Sequence, residues 1–115
     1  MSEIRPDNRV QINWAGEHRF DAGRPGGPLV RIDASAQTGP SPVDALLIGL
    51  GCCTGVDVVD ILAKRRTPVT SMNIEVQGER RTETPRRVTK AHLVYRIDGE
   101  GIARAHAARA AGRAR

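Results

Sequence analysis

The fold is decided by residues 39–66, which read GPSPVDALLIGLGCCTGVDVVDILAKRR. Three of these residues mark the start of a helix. Ser41 suits the N-cap, Pro42 suits the first helical position, and Asp44 can take the carboxylate place of a capping box. The helix is predicted to run from Pro42 to about Arg66, because a proline follows shortly afterwards.

The interior of this helix carries no charge from Ala45 to Gly55, and only Thr54 is polar there. A helix that is apolar on nearly every side is expected to be buried on most of its faces. The glycines at positions 49, 51 and 55 each cost about 1 kcal/mol relative to alanine in a helix interior. We therefore expect another backbone to approach closely here, such as the same helix of a second subunit.

The segments on either side of the helix have the two-residue period of β-strands. Three short strands are predicted before the helix, and a long hairpin with an exposed, charged turn region is predicted after it. The strands cover residues 10–14, 18–21, 29–33, 72–77 and 92–97, and the turn region covers 80–87. The sequence therefore predicts an α+β fold with N-terminal antiparallel strands, a long central helix and a second β-hairpin.

The length of 115 residues fits one domain, placed at residues 1–101, followed by a low-complexity alanine and arginine tail at 102–115. The tail could begin a short, truncated C-terminal helix. Because its apolar residues after Ile102 are alanines, we expect it to bury little and to stay mobile.

The net charge of +5 is concentrated in the tail, which holds four of the eighteen basic residues. The rest of the chain carries fourteen basic and thirteen acidic residues, a balance that argues against a nucleic-acid-binding body. We expect neither an apolar run of about eighteen residues, which could span a membrane, nor the apolar core of a signal peptide. We therefore predict a cytoplasmic protein.

Two adjacent cysteines do not form a secreted disulfide framework. In a reducing compartment such thiols are either small buried hydrophobes or reactive groups. His18, His92 and His106 lack the spacing of metal ligands, so neither a metal nor another cofactor is expected.

The stretch from Gly39 to Arg66 resembles the central helix of the OsmC/Ohr family, which includes thiol peroxidases. In that family a proline is followed by an acidic residue, paired leucines and, eleven residues after the proline, a Cys-Thr or Cys-Ser pair. Here the eleventh residue after Pro42 is Cys53, and the continuation DVVDILAK is typical of one OsmC-like subgroup. The resemblance covers residues 10 to about 102.

The resemblance implies a homodimer in which two intertwined chains form extended sheets around two central helices. It also implies the thiol-dependent reduction of organic hydroperoxides in oxidative stress defence. The reactive cysteine, here Cys53, attacks the peroxide O–O bond and becomes a sulfenic acid. A second cysteine then forms a disulfide with it, and a dithiol donor reduces the pair.

A thiolate within an apolar helix needs a nearby cation, and in this family an arginine from the N-terminal strands supplies it. Arg19 is the candidate, with Arg24 and Arg31 as rivals. Asp44 is the nearest equivalent of the acidic residue that orients the arginine. The better-studied peroxidases place a glutamate directly after the proline, where this chain has Val43.

The family's resolving cysteine is expected far along the chain, but no cysteine follows Cys53 in this sequence. Cys52 is a poor substitute, because adjacent side chains on a helix point about 100° apart. An active enzyme would therefore need an external thiol or dithiol as reductant. The tail looks unlike the family's C-terminus, as though the chain were truncated or read out of frame.

Simpler interpretations exist for the same residues. Cys53 could be a buried core thiol, Asp44 a helix cap alone, and Arg19 a solvated strand residue. The alternative function is a catalytically inactive OsmC-like dimer that binds a small apolar ligand near Cys53. The sequence leaves both functions open.

Overall fold

The computed structural model describes residues 8–82, 87–102, 107, 108, 110 and 111. Along the chain, these residues form strands before and after one long helix, which confirms the predicted α+β class. The elements are β1 (Gln11–Trp14), β2 (Arg19–Gly23), β3 (Val30–Asp33), α1 (Pro42–Lys64), β4 (Ser71–Arg80) and β5 (Val88–Asp98). The chain divides within α1 into two compact units, residues 1–45 and residues 46–115. Part of the predicted turn region (83–86), His106 and the four tail arginines lie outside the described residues.

The first unit contains an antiparallel meander in the order β1-β2-β3. Arg19 lies opposite Asp33 in this sheet, and Asp21 lies opposite Arg31. Because side chains alternate along a strand, these four charged residues share one face of the sheet. The opposite face is apolar, and its Trp14 is 69% exposed.

Asp33 anchors the loop that leads from β3 to α1. Its carboxylate accepts hydrogen bonds from the N–H and hydroxyl of Ser35, at 2.9 and 2.6 Å. It accepts two more from the N–H and hydroxyl of Thr38, at 3.0 and 2.7 Å. These four donors hold the pKa of the buried Asp33 carboxyl well below its usual range. The loop is thereby fixed immediately before the helix begins, an anchor that was not predicted from the sequence.

The predicted capping box at the start of α1 is confirmed. The N–H of Asp44 donates to Oγ of Ser41 at 3.1 Å, and the N–H of Ser41 donates to Oδ2 of Asp44 at 3.1 Å. Two backbone donors that have no partner within the helix are thus satisfied reciprocally.

The helix ends at Lys64, slightly earlier than predicted. The N–H of Arg66 donates to the carbonyl of Ala63, and that of Thr67 donates to the carbonyl of Leu62, both at 3.0 Å. Arg66 itself adopts a φ of 62°. This pattern is a Schellman motif, in which a left-handed residue closes the helix.

In the second unit, one face of α1 packs against the antiparallel hairpin of β4 and β5. A Cβ at Gly51 would lie 3.0 Å from Cγ2 of Val76, and a Cβ at Gly55 would lie 2.9 Å from Cδ1 of Ile74. These two glycines therefore admit side chains of β4, rather than the second backbone predicted from the sequence. Among the described residues, no atom lies within 4 Å of a Cβ built at Gly49.

The core of the second unit is small. Val58, Leu62 and Ala110 are each 0% exposed. The described tail residues 107, 108, 110 and 111 are helical. The tail thus contributes to the core, which corrects the expectation that it would bury little.

The remaining faces of α1 are exposed in the single chain, and their burial against a second subunit stays a prediction. Leu46 is 69% exposed and Val56 is 59% exposed. The reason is geometric, because a single two-stranded hairpin covers only one side of a helix.

By length and composition alone α1 could also cross a membrane, which corrects the expectation of no such segment. The core helix of a soluble protein meets the same criterion.

Candidate functional site

Cys53 is a free, exposed thiol on α1. The next residue, Thr54, is buried, and its hydroxyl donates to the carbonyl oxygens of Gly51 at 3.1 Å and Leu50 at 3.3 Å. Because Thr54 faces the hairpin, the side chain of Cys53 starts about 100° away from that direction. The thiol is therefore accessible in the single chain, which corrects the interpretation of Cys53 as a buried core thiol.

The two cysteines belong to different stripes of the helix surface. Leu46, Leu50 and Cys53 follow the i, i+4, i+7 spacing of neighbours on one side of a helix, and all three are exposed. We call this set the Cys53 stripe. Cys52 is also exposed, but it lies on the flank of the helix beside β4.

A groove runs between α1 and β4 on the side of Cys52. Its cavity volume is about 370 Å³, and it is lined by Cys52, Gly55, Val56, Val59, Asp60, Met72 and Ile74. We call it the Cys52 groove. Its surface is almost wholly apolar, and Asp60 is the charged residue of this lining. Hydropathy gives no sign of the strand beside Asp60, so the groove could not be predicted from the sequence.

Two of the three candidate arginines have partners within the first unit. Nε and Nη2 of Arg31 donate to the two carboxylate oxygens of Asp21, at 2.6 and 3.2 Å. This pairing lowers the pKa of Asp21 and raises the pKa of Arg31. Arg24 donates to Oδ1 of Asn8 at 3.1 Å.

Arg19 is less fully engaged than its rivals. Its Nη2 lies 3.6 Å from Oε1 of the exposed Glu17. Its Nε is buried and meets no acceptor among the described residues. A buried N–H without an acceptor is costly, so an added anionic partner would be favourable here. Arg19 and Cys53 belong to different compact units, and their pairing stays a prediction.

Asp44 forms the helix cap, and this explains its position without a catalytic role. Its predicted second role, orienting the arginine, stays a prediction. Within the described ranges of the chain, no group of three or more histidine, cysteine, aspartate or glutamate residues could hold a metal ion.

The family model described as OsmC-like protein matches residues 34–115 of this chain. The match extends through the tail, although the sequence suggested a resemblance only as far as about residue 102. Protein YhfA of Escherichia coli K12 is 31% identical over 103 residues, which cover 89% of this chain and 77% of that protein.

Solved structures are similar to this chain in fold. An OsmC-like protein of Mycoplasma pneumoniae superimposes with a TM-score of 0.79 at 16% identity, over 95% of this chain and 80% of its own. The organic hydroperoxide resistance protein OhrB of Bacillus subtilis gives a TM-score of 0.57 at 17% identity, over 92% of this chain and 81% of its own.

Proposed function

The chain belongs to the OsmC-like protein family, and from this premise we propose that it is a thiol-dependent hydroperoxide reductase that acts in oxidative stress defence. The observation that carries the proposal is the accessible thiol of Cys53, at the position that the family's motif assigns to its reactive cysteine. The soluble OsmC-like fold, with α1 as its core helix, is consistent with the cytoplasmic location that we propose. The name of the Bacillus subtilis neighbour links this fold to organic hydroperoxides.

The proposed reaction begins with the Cys53 thiolate and an organic hydroperoxide. The sulfur attacks the outer peroxide oxygen, an S–O bond forms, and the O–O bond breaks. The alcohol leaves with a proton, and the cysteine remains as a sulfenic acid. The substrate is thereby reduced by two electrons, and the sulfur is oxidised by two.

Arg19 is the proposed cation beside this thiolate. Its buried, unpaired Nε supports the choice of Arg19 over Arg31, whose guanidinium is held by Asp21. A guanidinium stabilises a thiolate and the negative charge that develops on the leaving oxygen. Asp44 is proposed to orient the arginine in addition to capping α1.

The reductant is proposed to be an external thiol or dithiol. Cys52, the neighbouring thiol, starts about 100° away on the same helix and is poorly placed to form a disulfide with Cys53. An incoming thiolate attacks the sulfur of the sulfenic acid, an S–S bond forms and the S–O bond breaks. The hydroxide that leaves takes up the proton that the incoming thiol had released and becomes water. A second thiol then reduces the mixed disulfide and returns Cys53 to its thiol form.

A homodimer is the proposed assembly. The Cys53 stripe exposes Leu46 and Leu50 on the side of α1 that the hairpin leaves uncovered. A second copy packed on this stripe would remove apolar surface from water, which is the main driving force of such association.

The test is the consumption of an organic hydroperoxide in the presence of a small dithiol. We expect steady turnover by the wild type and by the matched control Cys52→Ser. The variant Cys53→Ser is expected to fall to the rate of the protein-free blank. Equal rates for wild type and Cys53→Ser would contradict the proposal.

A second candidate function is a catalytically inactive OsmC-like dimer that binds a small apolar ligand. The apolar Cys52 groove favours it. It predicts that an unreactive apolar compound protects Cys52 from alkylation, while hydroperoxide is not consumed by any form of the protein.

A further inference from the structure

We propose that Asp33 is kept from pairing with Arg19, so that the Arg19 guanidinium stays free to bind an anion. The residues that keep the two apart are Ser35 and Thr38, whose donors fill the Asp33 carboxylate. In the reaction proposed above the anion is the Cys53 thiolate, and to this extent the inference rests on the proposed function. Ser35 and Thr38 are then positioning residues, which act on the thiol only through Arg19.

The charged face of the first sheet carries two arginine–aspartate pairs across β2 and β3. Arg19 lies opposite Asp33, and two residues further along β2 Asp21 lies opposite Arg31. Asp21 and Arg31 form a two-pronged ion pair, at 2.6 and 3.2 Å. Arg19 and Asp33 are both described by the structure, yet no ion pair joins them, and Nε of Arg19 meets no acceptor among the described residues. One of two similar pairs is therefore formed and the other is not.

The backbone does not explain this difference. The N–H of Ala34 donates to the carbonyl of His18 at 3.0 Å, directly beside the pair of Arg19 and Asp33. Hydrogen-bonded and non-hydrogen-bonded pairs alternate in an antiparallel ladder, so this pair and the one two residues away are both of the second kind. Side chains approach most closely in such pairs, whose Cα atoms are about 4.5 Å apart. The backbone therefore brings Arg19 as near to Asp33 as it brings the other arginine to its partner.

The carboxylate of Asp33 explains the difference, because all of its acceptor positions are in use. The N–H and hydroxyl of Ser35 donate to Oδ1, and those of Thr38 donate to Oδ2. A carboxylate accepts about four hydrogen bonds, so this loop saturates it. The guanidinium of Arg19 could pair with Asp33 only by displacing one of these donors, all of which lie within 3.0 Å.

The remaining carboxylates near Arg19 do not replace Asp33 as a partner. Asp21 is held by both prongs of Arg31. Glu17 lies 3.6 Å from Nη2 of Arg19, which is longer than a hydrogen bond, and its side chain is 81% exposed. An ion pair in solvent contributes little, so an incoming anion meets weak competition for Arg19. A carboxylate bound directly to the guanidinium would instead oppose its effect on a thiolate.

Releasing Asp33 from the loop tests the inference. Ser35→Ala combined with Thr38→Val removes the two hydroxyl donors and keeps both backbone donors, which frees one acceptor position on each oxygen of Asp33. Modification of Arg19 by a dicarbonyl reagent, followed by mass spectrometry of its peptide, reports whether the guanidinium is paired. We expect the Arg19 rate to fall about two- to fivefold, the equivalent of an exposed cross-strand ion pair. Arg31 is the internal reference, because its pairing is untouched.

Removing the charge of Asp33 should reverse the effect. Adding Asp33→Asn to the double variant is expected to restore the Arg19 rate, although it loosens the loop further, because asparagine forms no ion pair. A purely structural role of the loop predicts a further change in the same direction. The single variants Ser35→Ala and Thr38→Val should give smaller falls and allow the test if the double variant does not fold. Gln37→Ala is the matched control, since Gln37 is exposed in the same loop.

Turnover of an uncharged organic hydroperoxide is the second arm. We expect kcat/KM to fall about two- to fivefold in the double variant and to recover with Asp33→Asn. An Arg19 modification rate that the double variant leaves unchanged, or a fall that Asp33→Asn does not reverse, would overturn the inference whatever the turnover. Turnover that does not follow the Arg19 rate would also overturn it and leave the thiol chemistry intact. Reversible protection of Arg19 without turnover by the wild type would overturn the proposed function alone.

Discussion

Alanine at Gly55 is expected to destabilise the fold, whereas alanine at Gly49 is expected to stabilise it. Both glycines lie in the interior of α1, and both carry the same intrinsic helix penalty. They differ in their surroundings. A Cβ at Gly55 would lie 2.9 Å from Cδ1 of Ile74 and 3.5 Å from Cε of Met72, while a Cβ at Gly49 meets no described atom within 4 Å.

The two effects can be given magnitudes. Replacing glycine by alanine in a helix interior contributes about 1 kcal/mol of stability. Overpacking a filled contact costs about 1–3 kcal/mol. Cδ1 of Ile74 can turn about χ2, but the branched Cβ is stiff at χ1, so only the end of the side chain can adapt. Gly49→Ala should therefore gain about 1 kcal/mol. Gly55→Ala should lose up to about 2 kcal/mol, after its own gain in helix propensity is included.

The assay is urea unfolding followed by far-ultraviolet circular dichroism at several protein concentrations. Thermal unfolding of the same variants is the second readout. In a domain of this size, 1 kcal/mol corresponds to a change in Tm of about 4–8 °C, so the two variants should be clearly separated. Equal effects of the two substitutions would refute the account of α1 packing. A loss of stability for Gly49→Ala that increases on dilution would mean that a second copy packs against Gly49.

Three further predictions concern the rest of the fold. Arg66→Gly should raise the free energy of unfolding by about 1 kcal/mol in urea unfolding, because glycine adopts a positive φ without the steric cost that arginine bears. Leu62→Ala should lower the free energy of unfolding by about 2–5 kcal/mol in the same assay, because Leu62 is fully buried in a small core. A loss below about 1 kcal/mol would contradict the burial of Leu62 in that core. Asp33 is stabilised as a carboxylate, so its contribution is present above its unfolded pKa of about 3.8 and is lost as pH falls below that value. In Asp33→Asn, the free energy of unfolding should therefore fall less steeply as the solution is acidified. An unchanged pH dependence would contradict the role of the Asp33 carboxylate in fixing the loop.

The start of α1 could be predicted because its determinants are local. Ser41, Pro42 and Asp44 lie within four residues of one another, and a capping box depends on little else. The position of the helix end was predicted less accurately. It depends on Arg66 adopting a left-handed conformation, which is unfavourable for arginine. The Asp33 anchor was missed, although Ser35 and Thr38 following an aspartate are a usable signal of side-chain to backbone bonding.

The burial of α1 could not be predicted, because hydropathy records how apolar a helix is and not what covers each side. The Cys53 stripe is as apolar as the face on the hairpin, yet it is exposed in the single chain. The tail shows the converse case. Alanines predict little burial, but Ala110 is fully buried in one cluster with Val58 and Leu62. The candidate thiol could be chosen only through the resemblance to the OsmC/Ohr motif, which places a cysteine eleven residues after its proline. The Cys52 groove depends on the position of β4 and required the structure.

The most direct measurement of the central claim is the site of oxidation after one equivalent of organic hydroperoxide. The protein is treated in the presence of a sulfenic-acid-trapping nucleophile, digested, and analysed by mass spectrometry for adducts on Cys52 and Cys53. We predict a near-stoichiometric adduct on Cys53, little on Cys52, and a yield that falls in Arg19→Ala. Equal labelling of the two cysteines, or none on Cys53, would contradict the assignment of Cys53 as the reactive thiol.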